Sequence, residues 1–321
     1  MNDCMTELCE IIHGLGERLP RKDTVELIQS VLLKQMILLI HQLQKAAISH
    51  NNQYISVKHI LYVLKDHRIT LIRILSYYYL KDTIKRLSKL GNTDKSERRK
   101  RNRKLELLGL FKDDIVENIT NVEDESLQID PATALAAIDF TKKDVLPDRI
   151  HLKSIFHKLR NTIVELKLKI NITEEDIKKS NEARLMRAND ISILLSARAY
   201  EGFEICRRKS FHGRLGDWLL FQIQKALPWD FIINSQVKDI LMFLAKETIQ
   251  CLIDRVFENR KCKDSCDENN LAVMKKTKYR SIQVDEVISV TTSVWKIPLK
   301  EIQYLYKEED TFFNEQLIFD S

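Results

Sequence analysis

The chain has 321 residues, of which 7 are Gly and 5 are Pro. That is too few for the positive-φ turns of a many-stranded sandwich, barrel or propeller. Apolar residues make up 44% and charged residues 31%, the proportions of a folded protein. The 52 basic side chains nearly balance the 46 acidic ones, so the net charge of +6 does not by itself mark a DNA binder.

In chain order, the first ninety residues read as helices. Met5–Leu15 is a short apolar-periodic stretch. Leu19-Pro20-Arg21-Lys22-Asp23 is a turn, with Asp23 or Thr24 as N-cap. One long helix follows from Val25 to Ser49, free of Gly and Pro. Its apolar positions are Val25, Ile28, Val31, Leu32, Met36, Leu39, Ile40, Leu43 and Ala46, and Leu33, Ile37 and Leu38 fill most of the remaining circumference. Lys34 and Gln35 interrupt the longest apolar run, Val31–Ile40, which falls short of ~18–20 apolar residues, so no membrane span is expected. Asn51-Asn52-Gln53 ends the pattern, Ile55 begins an extended piece, and Ser56 caps a helix over Val57–Leu64. A further helix covers Ile69–Leu90. The long helix spans roughly 39 Å, against a diameter of about 30 Å for a compact globule of about 80 residues. It therefore belongs either to the centre of an ordinary bundle or against a second, similar unit.

Residues 91–150 read as a linker. The basic block Arg98, Arg99, Lys100, Arg101, Arg103 and Lys104 precedes an acidic stretch, Asp113–Asp130, and Leu105–Phe111 and Ala132–Phe140 are short apolar islands. From Ile150 to Cys206 the pattern is helical, with a break at Ile172-Thr173. Thr173 and Asp176 form a capping box, and Ile177–Arg208 reads as one long helix. The last third repeats the first: a short helix at Leu215–Leu220, a Pro-containing turn at Leu227–Asp230, and a long helix at Ile232–Glu258. A polar loop at Asn259–Lys278 follows, then Ser281-Ile282-Gln283-Val284 echoing Tyr54-Ile55-Ser56-Val57, and a closing helix at Val287–Trp295. Each long helix thus has a candidate partner in the same chain. The faces expected to pair carry Val25, Ile28, Leu32, Leu39 and Leu43 on one and Ile233, Val237, Leu241, Leu244 and Leu252 on the other.

Three stretches carry a family resemblance. Leu19-Pro20 with Thr24-Val25-Glu26, Ile28 and Gln35 matches an L-P-x-x-T-V-E start to a long helix. Ile55-Ser56-Val57, Leu61 and Leu64 lead to Arg73, Tyr77, Lys81, Asp82 and Lys85, matching R-x-x-x-Y-x-x-W-K-D with Leu80 in place of Trp and Asp66-His67 in reversed order. Arg187-Ala188-Asn189-Asp190, Tyr200, Glu204, Cys206, Arg207, Ser210, Phe211 and Trp218 match a long helix ending in E-C-R-x-x-S-F, with Phe203 where a Trp is usual. On these residues the chain resembles the suppressor-of-Ty transcription-initiation proteins, SAGA coactivator subunits that carry two histone folds in one chain. Its halves resemble the small histone-fold subunits of TFIID.

The resemblance implies an all-α fold in which two histone folds pair within the chain. Segments follow at 1–90 (first histone fold and an extension helix), 91–150 (linker), 151–209 (bridging helices), 210–300 (second histone fold) and 301–321 (tail). It also implies a nuclear, non-enzymatic coactivator subunit. Its partners are the TATA-binding protein and other SAGA-type subunits, histone-fold proteins among them, with no membrane or small-molecule substrate and no dominant direct DNA contact. Histone folds often pair an Arg before the closing helix with an acid inside it, here Arg280 with Asp285 or Glu286. The alternatives are a TFIID-type or other subunit that pairs with a separate chain, and a DNA-binding histone-like protein.

No catalytic constellation appears. Gly14-x-Gly16 lacks the third glycine of a dinucleotide fingerprint, Leu19 standing in its place, and no phosphate loop, H-E-x-x-H or G-x-S-x-G occurs. His13 and His41 read as structural residues, and His151 and His157 share no helical face. The six Cys, at 4, 9, 206, 251, 262 and 266, follow no signal-peptide segment, so reduced thiols in an intracellular setting are expected. Cys262-x-x-x-Cys266 with Cys251 lacks the second pair that a structural zinc site needs, so loop thiols, no metal and no cofactor are expected. Asn118 and Asn171 match the glycosylation pattern by chance. The block from Arg98 to Lys104 reads as a nuclear localisation signal, ahead of a phosphate-binding patch or a solvated charge run. Tyr77-Tyr78-Tyr79 cannot all face one side of a helix, so at least one is exposed or docked.

Overall fold

The computed structural model describes residues 3–89, 154–168, 173–211, 213–228, 232–266 and 280–293, with Ala136, Ile138, Phe140, Leu317 and Phe319. Its elements are helices α1 (Asp3–Gly14), α2 (Lys22–Ser49), α3 (Val57–Val63), α4 (Arg68–Lys89), α5 (Ile155–Glu165), α6 (Glu174–Leu194), α7 (Ala197–Arg208), α8 (Arg214–Ala226), α9 (Ser235–Cys266) and α10 (Val284–Ser293). Two short strands, β1 (Tyr54–Ile55) and β2 (Ile232–Ile233), complete them. The protein is predominantly helical, in keeping with the all-α expectation. Two compact units result, residues 1–55 with 186–321, and residues 56–185. The division falls inside two of the segments expected from sequence, just before α3 and within α6.

In the first unit α2 and α9 are the long helices, about 42 and 48 Å at 1.5 Å per residue. They pack against each other, and α10 packs on both. Helix α8 packs on α2 and on α1, and α1 also lies along α7. Buried residues of α2 occur at 24, 25, 27, 28, 31, 32, 35, 36, 39, 40, 43, 46 and 47, which covers most of its circumference. By length and composition this helix would also suit a bilayer. More than half of its most apolar window is nevertheless buried inside the protein, the pattern of a core helix. Strands β1 and β2 pair in parallel, Tyr54 opposite Ile232 and Ile55 opposite Ile233. The inward residues Ile55 and Ile233 are buried, while Tyr54 and Ile232 are exposed.

The contact of α1 with α7 is close enough to require a glycine. A Cβ on Gly14 would lie 2.4 Å from the carbonyl oxygen of Cys206. Gly16, in the turn after α1, combines a φ of +115° with a site where a Cβ would strike the Arg187 stem at 2.7 Å.

In the second unit α5 packs on α3 and α4. Ser154 caps α5, accepting from the His157 N–H at 3.1 Å and donating to the buried Asp82 carboxylate on α4. Asp82 of the R-x-x-x-Y-x-x-W-K-D match thus aligns a neighbouring helix. Lys81 lies 5.7 Å from the centre of the Tyr77 ring. Of the three consecutive tyrosines only Tyr78 is buried; Tyr79 meets Phe156 edge-on at 5.2 Å. The expected box at Thr173 and Asp176 is present. Asp176 N donates to Thr173 Oγ1 at 3.1 Å, and the Thr173 hydroxyl returns to the Asp176 carboxylate at 2.8 Å.

Four expectations need correction. Helix α2 starts at Lys22 and its N-cap is Arg21, not Asp23 or Thr24. Asp23 instead binds Arg21 and the Thr24 N–H, and these contacts lower its pKa, the arginine hydrogen bond most of all. The single helix expected over Ile177–Arg208 is broken, because Ser196 caps a new helix through the Ala199 N–H. Ile232 and Ile233 do not open the second long helix. They form a strand, and Asn234 caps α9 by accepting from the N–H groups of Gln236 and Val237 at 2.7 and 3.2 Å. That helix runs on to Cys266, so the first part of the expected polar loop is helical and Cys262 and Cys266 are not loop residues.

Candidate functional site

The ten residues expected to pair the long helices, Val25, Ile28, Leu32, Leu39, Leu43, Ile233, Val237, Leu241, Leu244 and Leu252, are all buried. Full burial of one such side chain stabilises by about 1.5–3 kcal/mol, so this core is the main adhesive of the first unit. The two ends of the paired helices are finished by different means.

At one end β1, after α2, meets β2, before α9. The join is main-chain pairing plus the buried Ile55–Ile233 pair.

At the other end the turn before α2 meets the loop before α10, and side chains make the join. Glu17 is 3% exposed and its carboxylate accepts from the Ile282 N–H at 2.9 Å and the Leu19 N–H at 3.1 Å. The Thr24 hydroxyl donates to the Ile282 carbonyl at 3.0 Å. Both main-chain groups of Ile282 are therefore satisfied by side chains, Glu17 from the turn before α2 and Thr24 from its first turn. Arg21 adds a 2.7 Å bond to the Gln283 side chain. Burial pushes the Glu17 pKa up, against the lowering effect of the two N–H groups and of Arg260.

The loop that Glu17 grips is itself braced. Arg260, almost fully buried on α9, makes a two-pronged contact with Glu286 at 2.9 and 2.7 Å and donates to the carbonyls of Arg280 and Ser281 at 2.7 and 3.1 Å. Arg280 reaches the same carboxylate at 3.0 Å, so of the two acids considered for it Glu286 is the partner. Glu286 also caps α10 through the Gln283 N–H at 2.9 Å. Burial raises the pKa of Glu286, but Arg260, the Gln283 N–H and Arg280 outweigh it and hold the group down to about 2. Glu17 and Arg260 were not picked out from sequence. From sequence Arg260 falls in the polar loop that follows Glu258, where an arginine reads as solvated; its burial follows from the extension of α9 to Cys266.

Arg187 performs a similar task on α6. Its guanidinium binds Asp254 on α9 at 2.7 Å and lies 4.6 Å from the centre of the Phe257 ring. Glu204 on α7 pairs with both Arg207 and Arg208, and Arg207 also sits over the buried Phe203 ring at 5.9 Å. Cys206 presents its carbonyl to Gly14, and Phe211 is buried with its carbonyl against Gly216. Ser210 and Trp218 are half-buried, and Tyr200 is exposed. Arg73 and Tyr77 are half-buried on α4. Asp82 and Arg187 thus tie one helix to another, Cys206 and Phe211 lie at close main-chain contacts, and Tyr200 faces outward.

The block from Arg98 to Lys104, the acidic stretch, Leu105–Phe111, Asn118, His151, Asn171, Trp229 and Trp295 lie outside the described residues. His13 bonds through Nδ1 to the Glu17 carbonyl at 2.9 Å, and His157 is buried. Cys251 is buried and Cys262 exposed. Among the described residues no group of three His, Cys, Asp or Glu side chains is arranged to hold a metal ion.

No family model matches the chain, and no curated sequence or solved structure matches it.

Proposed function

We propose that the chain is a nuclear, non-enzymatic transcription scaffold in which two histone folds clasp one another, a SAGA-type coactivator subunit that docks the TATA-binding protein. The observation that carries this reading is the head-to-tail join of the two long helices. The loop after α2 meets the strand before α9, and the loop before α10 meets the turn before α2. Reciprocal loop pairing of this kind, with two long helices packed between, is what a pair of histone folds requires. The order of short helix, long helix, extended residues and short helix occurs twice in the chain, and the motif residues support the family assignment. The function is docking, and the outward Tyr200 is among the surface groups available for it.

The test is affinity purification of the tagged full chain from its own cells, followed by identification of co-purifying proteins and a direct binding assay with purified TATA-binding protein. Recovery of coactivator subunits with saturable binding supports the reading. Recovery of one separate histone-fold chain in equal amount, with no binding to TATA-binding protein, replaces it by the pairing-subunit alternative.

A further inference from the structure

The two joins differ in how much sequence they read. The pairing of β1 with β2 is main-chain and asks of the side chains only that Ile55 and Ile233 be apolar. The other join reads one loop through specific side chains, with a buried carboxylate at its centre. A buried carboxylate is tolerated only where N–H donors and a compensating cation are supplied. Here the second half supplies both, the Ile282 N–H and the nearby Arg260.

Arg260 stands on the long helix α9, and the corresponding stretch of the first half, from His41 near the end of α2 through α3 to Val63, contains no Arg; its only basic side chains besides histidines are Lys45 and Lys58. Where α10 carries Glu286 as its third residue, α3 carries His59, which caps its own helix by accepting the Ser56 N–H at 3.1 Å. A first half paired with a copy of itself would bury two Glu17 carboxylates against loops lacking arginine. A second half paired with itself would leave the Ile282 N–H without its acceptor.

We propose that Glu17, with the Arg260-braced loop it grips, is the specificity determinant that makes the first half choose the second half over another copy of itself. This deepens the histone-pair reading and rests on it.

The test uses the full chain carrying two different tags, expressed separately with one population isotope-labelled, then unfolded in urea, mixed, refolded together and cross-linked through lysines. Wild type is expected to show negligible recovery of one tag through the other. Glu17→Gln, which keeps the side-chain shape but removes the charge and one acceptor, is expected to raise that recovery at least tenfold. It should also give a cross-link between Lys22 of one copy and Lys58 of the other, the signature of first halves paired together. Glu17→Lys should do so more strongly, while Gly14→Ala, which weakens the same unit away from the join, should not. If Glu17→Gln lowers stability without association between copies, or if Gly14→Ala associates equally, Glu17 is only a brace and the proposal fails while the pairing reading stands. If wild type itself exchanges freely between tags, pairing within one chain fails, and the proposal with it.

Discussion

Replacing Arg187 with alanine removes three contacts at once: the Asp254 bond at 2.7 Å, the Leu15 carbonyl at 3.4 Å and the stack on Phe257. Both members of the ion pair are largely buried, with side-chain exposures of 17% and 15%, so Asp254 would be left as a poorly solvated charge. Breaking a buried pair from one side costs about 3–5 kcal/mol, and residual water access at Asp254 favours the lower end. Losing the cation–π contact with Phe257 adds about 0.5–1 kcal/mol, for an expected cost of about 3–4 kcal/mol. At ~2–4 °C per kcal/mol for a domain of 150–250 residues, the melting midpoint of the first unit should fall by about 6–16 °C. Circular dichroism during thermal and urea unfolding measures this, in a cycle with Asp254→Ala and the double variant. The double variant should cost much less than the sum of the singles, because it leaves no orphaned charge. A single-variant cost under about 1 kcal/mol, or strict additivity, would refute the claim that Arg187 is a buried brace.

Three further outcomes follow from the geometry. Glu286 has a folded pKa lowered from 4.5 to about 2, so the stability its ionised form contributes is present above pH 4.5 and lost as pH falls from 4.5 towards 2. Glu286→Gln should flatten that part of the stability–pH profile, measured by urea unfolding; an unchanged slope would contradict the brace. Gly14→Ala drives a Cβ against the main chain of Cys206 and should cost about 2 kcal/mol or more, whereas Gly202→Ala on α7 meets nothing within 4 Å and should stabilise by about 0.5–1 kcal/mol. Paired melting curves of the two alanine variants check both signs.

What the sequence revealed and what it hid have separate physical causes. Helix positions in α1, α2 and α4 were readable from apolar periodicity, and the echo of Ile55 in Ile282 marked the two closing loops correctly. The Thr173–Asp176 box was readable because its partners are three residues apart. Ser196 was missed as a helix start because apolar periodicity runs through it with no Gly or Pro. The strand at Ile232–Ile233 exists because β1 pairs with it, a partner 178 residues away that no local window contains. Glu17 is the extreme case: a charged residue in a turn reads as solvated, and its burial depends on a loop 265 positions distant. Local signals reported the elements; long-range pairing decided which ends were strands and which charges were buried.

The distance along the chain between the two long helices has a consequence for synthesis. Helix α2 is apolar nearly all round, and its principal covers, α8, α9 and α10, lie in the last third of the sequence. At ~5–20 residues per second a ribosome needs on the order of ten to forty seconds to make the residues that separate β1 from β2. For most of that interval the nascent chain displays a hydrophobic helix of whose packing partners in the first unit only α1 and β1 have been made. Its yield in the cell should therefore depend on chaperone capacity during translation.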